Sequence, residues 1–221
     1  VDQQDLFEEA SPPFRAPDIS KTPGLAEIFE LSIDAFYALI HAQMSCLPIH
    51  NEISRFAEKV LRSGSRAAAS QVAFDRGDPD VAAVLKAAAR VSHEIHRLLG
   101  LLRFKLVQGV YEARCAPDYY ILPALGEHFR LRFGDSPWAI IDEKRSLCLS
   151  CDGAGKLELK PLVPAKEGGP PLASEPEDPI EDLWRLYHRS INNEARNNPR
   201  LQRQLIPERY RPYLPEMKKQ P

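Results

Sequence analysis

The sequence predicts an α+β fold: a helical N-terminal half, an antiparallel sheet of about five strands with one inserted helix, and C-terminal helices that close the structure. Three observations predict it. Apolar residues recur at helical spacing from Leu25 to about Leu99, alternation takes over between Arg103 and Leu159, and helical spacing returns from about Pro179. The 221 residues are 43% apolar, enough for one sizeable core and marginal for two.

Residues 1–24 hold Pro12, Pro13, Pro17 and Pro23 among several acids and read as an irregular tail. Residues 25–221 then form a single α+β domain with a Pro/Gly-rich loop at 161–179. Within it, Ile28, Leu31, Phe36, Leu39 and Ile40 mark helix from Leu25 to about Met44. Ile53, Phe56, Val60 and Leu61 mark a second over Glu52 to Arg62, and Ala67 to Phe74 is a shorter piece. Asp78 followed by Pro79 is a cap-plus-proline signal for a long helix to about Leu99, with Gly100 as its expected C-cap. One face of that helix carries Val84, Ala88, Val91, Ile95 and Leu98. Another carries Lys86, Arg90, His93 and Arg97.

Beyond Gly100 the segments 103–107 and 110–115 flank Gln108-Gly109, a two-residue hairpin turn. Phe104, Leu106, Tyr111, Ala113 and Cys115 are expected to face the core, with Lys105, Glu112 and Arg114 in solvent. A helix from about Ile121 to Phe133 stops at Gly134. Trp138 to Asp142 and Arg145 to Cys151 form a second hairpin, and Asp152-Gly153 turns into a further strand at Lys156. The loop 161–179 holds six prolines and two glycines. After it, Ile180, Leu183, Trp184, Tyr187 and Ile191 form an apolar helical stripe, and Asn198-Pro199 starts a short last helix.

The net charge of -2 and a pI near 6.3 give the whole molecule no field that attracts polyanions, so nucleic-acid binding would need a local basic surface. No apolar run approaches the roughly 18 residues that span a bilayer, and no secretory segment opens the chain, so a cytoplasmic protein without a membrane partner is expected. Val1 in place of an initiating Met suggests a processed or truncated chain. Four cysteines are too few for a disulfide scaffold and read as reduced, structural thiols. Cys148 and Cys151 have C-x-x-C spacing, but on a strand residues three apart point to opposite faces, which suits neither zinc nor dithiol chemistry. His93 and His96 lie one helical turn apart without an evident third ligand, so no metal site is assigned and no cofactor is implied.

Two basic segments stand out. Lys86, Arg90, His93 and Arg97, with Arg103 and Lys105 following, can track a phosphate backbone, though a solvated amphipathic face shows the same pattern. The second segment contains Arg185, Arg189, Arg196, Arg200, Arg203, Arg209 and Arg211, interleaved with asparagines and glutamines. Tyr210 and Tyr213 there are positioned in sequence to stack on bases, and Glu194, Glu208 and Glu216 are alternative ion-pair partners for the arginines. Asp142, Lys144, Arg145 and Asp152 fall at hairpin turns, where aspartate favours backbone hydrogen bonds. No Gly-rich phosphate loop, serine elbow or zinc-protease motif is present, so whether the chain is an enzyme stays open.

Several stretches together carry a resemblance: the segment 90–97, Ala116-Pro117-Asp118, Leu122-Pro123, His128-Phe129, and Trp138 to Asp142 with Lys144-Arg145. Leu183 to Tyr187, Arg196 to Pro199, and Pro207 to Tyr210 with Leu214 to Glu216 complete it. Over residues 80–217 the chain resembles a bacterial family labelled as DNA-metabolism or radical-SAM-linked proteins. Some members are fused to a uracil-DNA-glycosylase-like domain, and others are encoded beside a radical-SAM protein. The resemblance implies a role in DNA metabolism or repair, with DNA and either a radical-SAM protein or a uracil-DNA-glycosylase-like protein as partners. No glycosylase motif occurs in this chain, so a partner would supply the chemistry. The tail before Leu25 has no counterpart in the resemblance.

The leading expectation is therefore an accessory module that binds nucleic acid, or docks a repair or modification enzyme, through Lys86, Arg90, Arg97, Arg103, Arg185, Arg189, Arg196, Arg200 and Arg203. The alternative is an enzyme with an acid–base site drawn from His93, His96, Asp118, His128 and Asp142. A structural protein–protein partner is the third class.

Overall fold

The computed structural model describes residues 16–17, 19, 22, 24–162, 186 and 198–217, with the side chains of Pro199 and Arg203 left aside. Five helices come first: α1 (Leu25–Leu31), α2 (Ile33–Met44), α3 (His50–Arg62), α4 (Arg66–Phe74) and α5 (Pro79–Leu101). The sequence pattern runs α1 and α2 together, but Ser32 adopts an extended backbone and its Oγ accepts from the Ala35 N–H at 3.2 Å, starting a new helix. At α5 the local signals act as read: Asp78 Oδ1 accepts from the N–H groups of Asp80 and Val81 at 2.9 and 3.2 Å, with Pro79 in the first turn. Gly100 does not end the helix. The chain continues to Leu101, and the Leu102 N–H still reaches Leu98 O at 3.0 Å while its own backbone turns extended, so no left-handed glycine exit is needed.

The long helix α5 serves two cores. Its first half places Val81, Val84, Ala87 and Ala88 against Ile28, Leu39, Phe56 and Val60 of α1–α3. Its second half places Val91 and Leu98 against Leu122, Leu125, Phe129, Trp138 and Ile140. One rigid rod thus joins the helical layer to the sheet layer.

The sheet has five strands in sequential order: β1 (Phe104–Val107), β2 (Val110–Cys115), β3 (Trp138–Asp142), β4 (Leu147–Cys151) and β5 (Leu157–Pro161). Gln108 and Gly109 both hold positive φ, 50° and 84°, and close the β1–β2 hairpin as a two-residue turn. The sheet is mixed rather than antiparallel, because β2 and β3 run parallel with Tyr111 opposite Trp138 and Cys115 opposite Asp142. The reason is the inserted helix α6 (Leu122–Phe133), which carries the chain back to the start of β2 before β3 begins. Ala113 and Cys115 are buried, and Phe104 and Tyr111 pack at the core's margin. Leu106, expected inside, is 49% exposed at the far end of the edge strand β1.

The C-terminal part contains α7 (Pro199–Leu205), capped by Asn198 Oδ1 accepting from the Leu201 N–H at 2.9 Å, then a 3-10 helix over Glu208–Tyr213. Tyr210 and Leu214 are buried. Most of the irregular tail, most of the Pro/Gly-rich loop and the stripe from Ile180 to Ile191, except Leu186, lie outside the described residues. None of the described helices is long and apolar enough to cross a membrane.

Candidate nucleic-acid interface

With 3.6 residues per turn, Lys86, Arg90, His93 and Arg97 fall in a sector of roughly 60° on α5, opposite its core side, and span about 16 Å along the axis. Lys86, Arg90 and His93 are exposed and Arg97 is half-buried. Lys86, Arg90 and Arg97 form no ion pair among the described residues. From Lys86 onward, the other exposed positions on this outer side are Ala89, Ser92, His96 and Gly100. Glu94 is the sole carboxylate between Val81 and Leu101, and it is only 2% exposed. Among the described residues, the outer face of α5 is therefore cationic without a competing acid. Farther toward the N-terminus, Asp78 and Asp80 are held by Lys59 at 2.6 and 2.8 Å, and Asp80 also by Arg55 at 3.0 Å.

Arg103 does not simply prolong this face. Its guanidinium donates to Gly100 O at 2.8 Å and pairs with Glu216 at 2.7 Å. Of the C-terminal arginines, Arg200 is exposed, and Arg185, Arg189, Arg196 and the Arg203 side chain lie outside the described residues. Arg209 and Arg211 are engaged, the first with Glu94 at 3.1 Å and Asp118 at 2.7 Å, the second with Glu208 at 3.9 Å.

These contacts belong to a polar network at the carboxyl ends of the parallel strands β2 and β3. Glu94 is its centre. Its two oxygens accept from the backbone N–H groups of Asp118 and Tyr119, both at 2.9 Å, from Arg209, and from the Tyr210 hydroxyl. The Tyr210 phenol is pushed up by burial and by the neighbouring Glu94 carboxylate. Asp142, fully buried at the end of β3, pairs with Arg145 at 2.9 Å, and Arg145 also donates to the carbonyls of Pro117 and Asp118. Burial still outweighs that partner and raises the Asp142 carboxyl above its ordinary value. Tyr213 donates to Glu143 at 2.6 Å. Tyr210 and Tyr213, expected as stacking platforms, are thus a core side chain and a hydrogen-bonded clamp.

The residues expected for an acid–base site are divided. Asp118 and Asp142 meet through Arg145 and belong to ion pairs. His93, His96 and His128 are exposed, and no hydrogen bond or ion pair among the described residues joins any of them to either aspartate. No group of three or more potential metal-binding side chains occurs among the described residues. Sequence reasoning passed over Glu94 as the network's centre. The available signal was its position, three residues after Val91 and four before Leu98, on the seam of the apolar face.

The four cysteines are free thiols. Cys115 and Cys151 are buried, Cys148 is half-buried, and Cys46 is exposed. Burial pushes all four thiols up, Cys115 most strongly, with the Asp142 charge adding to it. Iodoacetamide at neutral pH is expected to modify Cys46 first and to leave Cys115 and Cys151 untouched in the native protein, read by mass spectrometry. Native-state labelling of Cys115 ahead of Cys46 would contradict this packing.

No curated protein and no solved structure matches this chain. A family model described as a domain of unknown function, DUF4130, matches residues 50–216. That region starts at α3 and takes in α5, the sheet and the Glu94 network, and leaves α1 and α2 before it. Matched over more than half of its length, the chain belongs to the DUF4130 family.

Proposed function

We propose that this protein is an accessory module of DNA metabolism that holds nucleic acid on the outer face of α5 while a partner enzyme supplies the chemistry. The observation that carries the reading is that, among the described residues, the cations Lys86, Arg90 and Arg97 are unpaired and share a face with no exposed carboxylate, in a chain whose net charge is -2. Such a separation of charge gives a local field that the totals conceal. The resemblance to DNA-metabolism proteins supports the same reading and supplies the class of partner, a radical-SAM or uracil-DNA-glycosylase-like enzyme. Arg200 and the arginines preceding it in sequence add to the cationic inventory of the chain. The acid–base alternative gains nothing from the arrangement of the histidines.

Three phosphate contacts correspond to a slope of log affinity against log salt of about -2.7 on duplex DNA, so raising salt from about 50 to 200 mM should weaken binding roughly forty-fold. Fluorescence anisotropy with a labelled oligonucleotide reads this directly. No binding at low salt, or an affinity indifferent to salt, would overturn the proposal.

A further inference from the structure

Resting on the reading above, we infer that the polyanion seated on α5 is duplex DNA in B-form, with the helix lying along its major groove. Three features of the face point there. The cations are mounted on one continuous helix whose opposite side is locked into two cores, so they form a rigid line about 16 Å long. A duplex carries one charge per about 1.7 Å and is stiff over a far greater length, so it meets such a line without losing conformational freedom. A single strand would have to be straightened to match it.

The second feature is what stands between the cations. Ala82, Ala83, Ala89, Ser92 and Gly100 stand beside Lys86, Arg90, His93 and Arg97, and His96 is the other exposed residue there, so from Lys86 to Gly100 the ridge exposes no bulky apolar or acidic side chain. An α-helix with side chains is about 10–12 Å across and the B-form major groove about 12 Å wide. Small flanks let the helix sit deep enough for both groove walls to reach the basic side chains. The major groove of A-form RNA is too narrow and deep to admit it.

Third, no phenylalanine, tyrosine or tryptophan lies on α5. Single-strand binders rely on such rings as stacking platforms. Among the described residues, the large exposed aromatic side chains Phe29, Tyr37 and Phe74 belong to α1, α2 and α4, and Tyr210 is sealed in the core. The face has charge and a groove-sized profile and lacks platforms for bases.

The test is an anisotropy comparison on the full chain with three probes: a 20-base-pair DNA duplex, the matching RNA duplex, and an unstructured 20-nucleotide DNA strand. The DNA duplex should bind about fivefold or more tighter than either other probe, and the preference should disappear in R90A/R97A. Equal or tighter binding of the single strand or of the RNA duplex would overturn this inference while leaving nucleic-acid binding standing. A duplex preference untouched in R90A/R97A would also overturn it, by removing α5 from the contact. Failure of all three probes to bind at low salt would remove both this inference and the proposed function.

Discussion

Replacing Arg145 with alanine is expected to destabilise the fold by about 3–5 kcal/mol at neutral pH, because it leaves the Asp142 carboxylate buried without its partner. The loss should extend beyond the ion pair, since Arg145 also holds the carbonyls of Pro117 and Asp118 and so fixes the loop after β2. The pH dependence has a definite sign. Burial raises the folded-state pKa of Asp142 above its unfolded value, so the native state binds this proton more tightly. Stability from that proton is fully present below the unfolded value and is lost as pH rises through the folded one. Removing Arg145 raises the folded value further. R145A should therefore recover part of its deficit as pH is lowered, and Asp142→Asn in the R145A background should recover part of it at neutral pH. Urea denaturation across pH measures both. A variant within about 0.5 kcal/mol of the parent at neutral pH, the range for ordinary surface changes, would refute the assigned role.

Glu94→Ala is expected to have an effect of similar size, about 3–5 kcal/mol. It strips the acceptor from the Asp118 and Tyr119 N–H groups and from the buried Tyr210 hydroxyl, and it halves the partnership of Arg209. Four groups from two remote stretches of chain lose one common anchor. Glu94→Gln should be milder, since its amide keeps one acceptor oxygen, and Tyr210→Phe should cost about 1.5–3 kcal/mol, the scale of one hydrogen bond to a charged group. Hydrogen exchange should speed first in residues 207–217, which the network ties to α5 and the sheet. Arg90→Ala, on the same helix with no ion pair among the described residues, is the control and should leave stability nearly unchanged. Equal effects of the Glu94 and Arg90 variants would contradict the buried network.

Which parts of this architecture could be read in advance follows from how local their causes are. Asp78-Pro79, Gln108-Gly109 and Asn198-Pro199 work through hydrogen bonds and backbone angles within a few residues, so their sequence signals translate directly into structure. The basic stripe on α5 is equally local, because helical periodicity alone lines up Lys86, Arg90, His93 and Arg97. The direction of β3 is set by how the α6 crossover returns the chain, and alternation of apolar residues carries no information about that. The Glu94 network lies farther still from local rules. Its partners are 24 to 116 residues away, and Tyr210 and Arg209 look in sequence like members of a nucleic-acid-binding stretch. The cations that remain available could be separated from those already paired only after the fold brought Glu94, Asp118 and Glu216 beside Arg209 and Arg103.

The central claim is that α5 carries the binding surface, and the triple variant K86A/R90A/R97A tests it most directly. Its circular dichroism and unfolding midpoint should match the parent, because none of the three side chains pairs with a described residue. Its affinity for duplex DNA near 50 mM salt should fall at least tenfold, and the salt slope should shrink by about 2 to 3. An unchanged affinity and slope in a correctly folded triple variant would contradict the account.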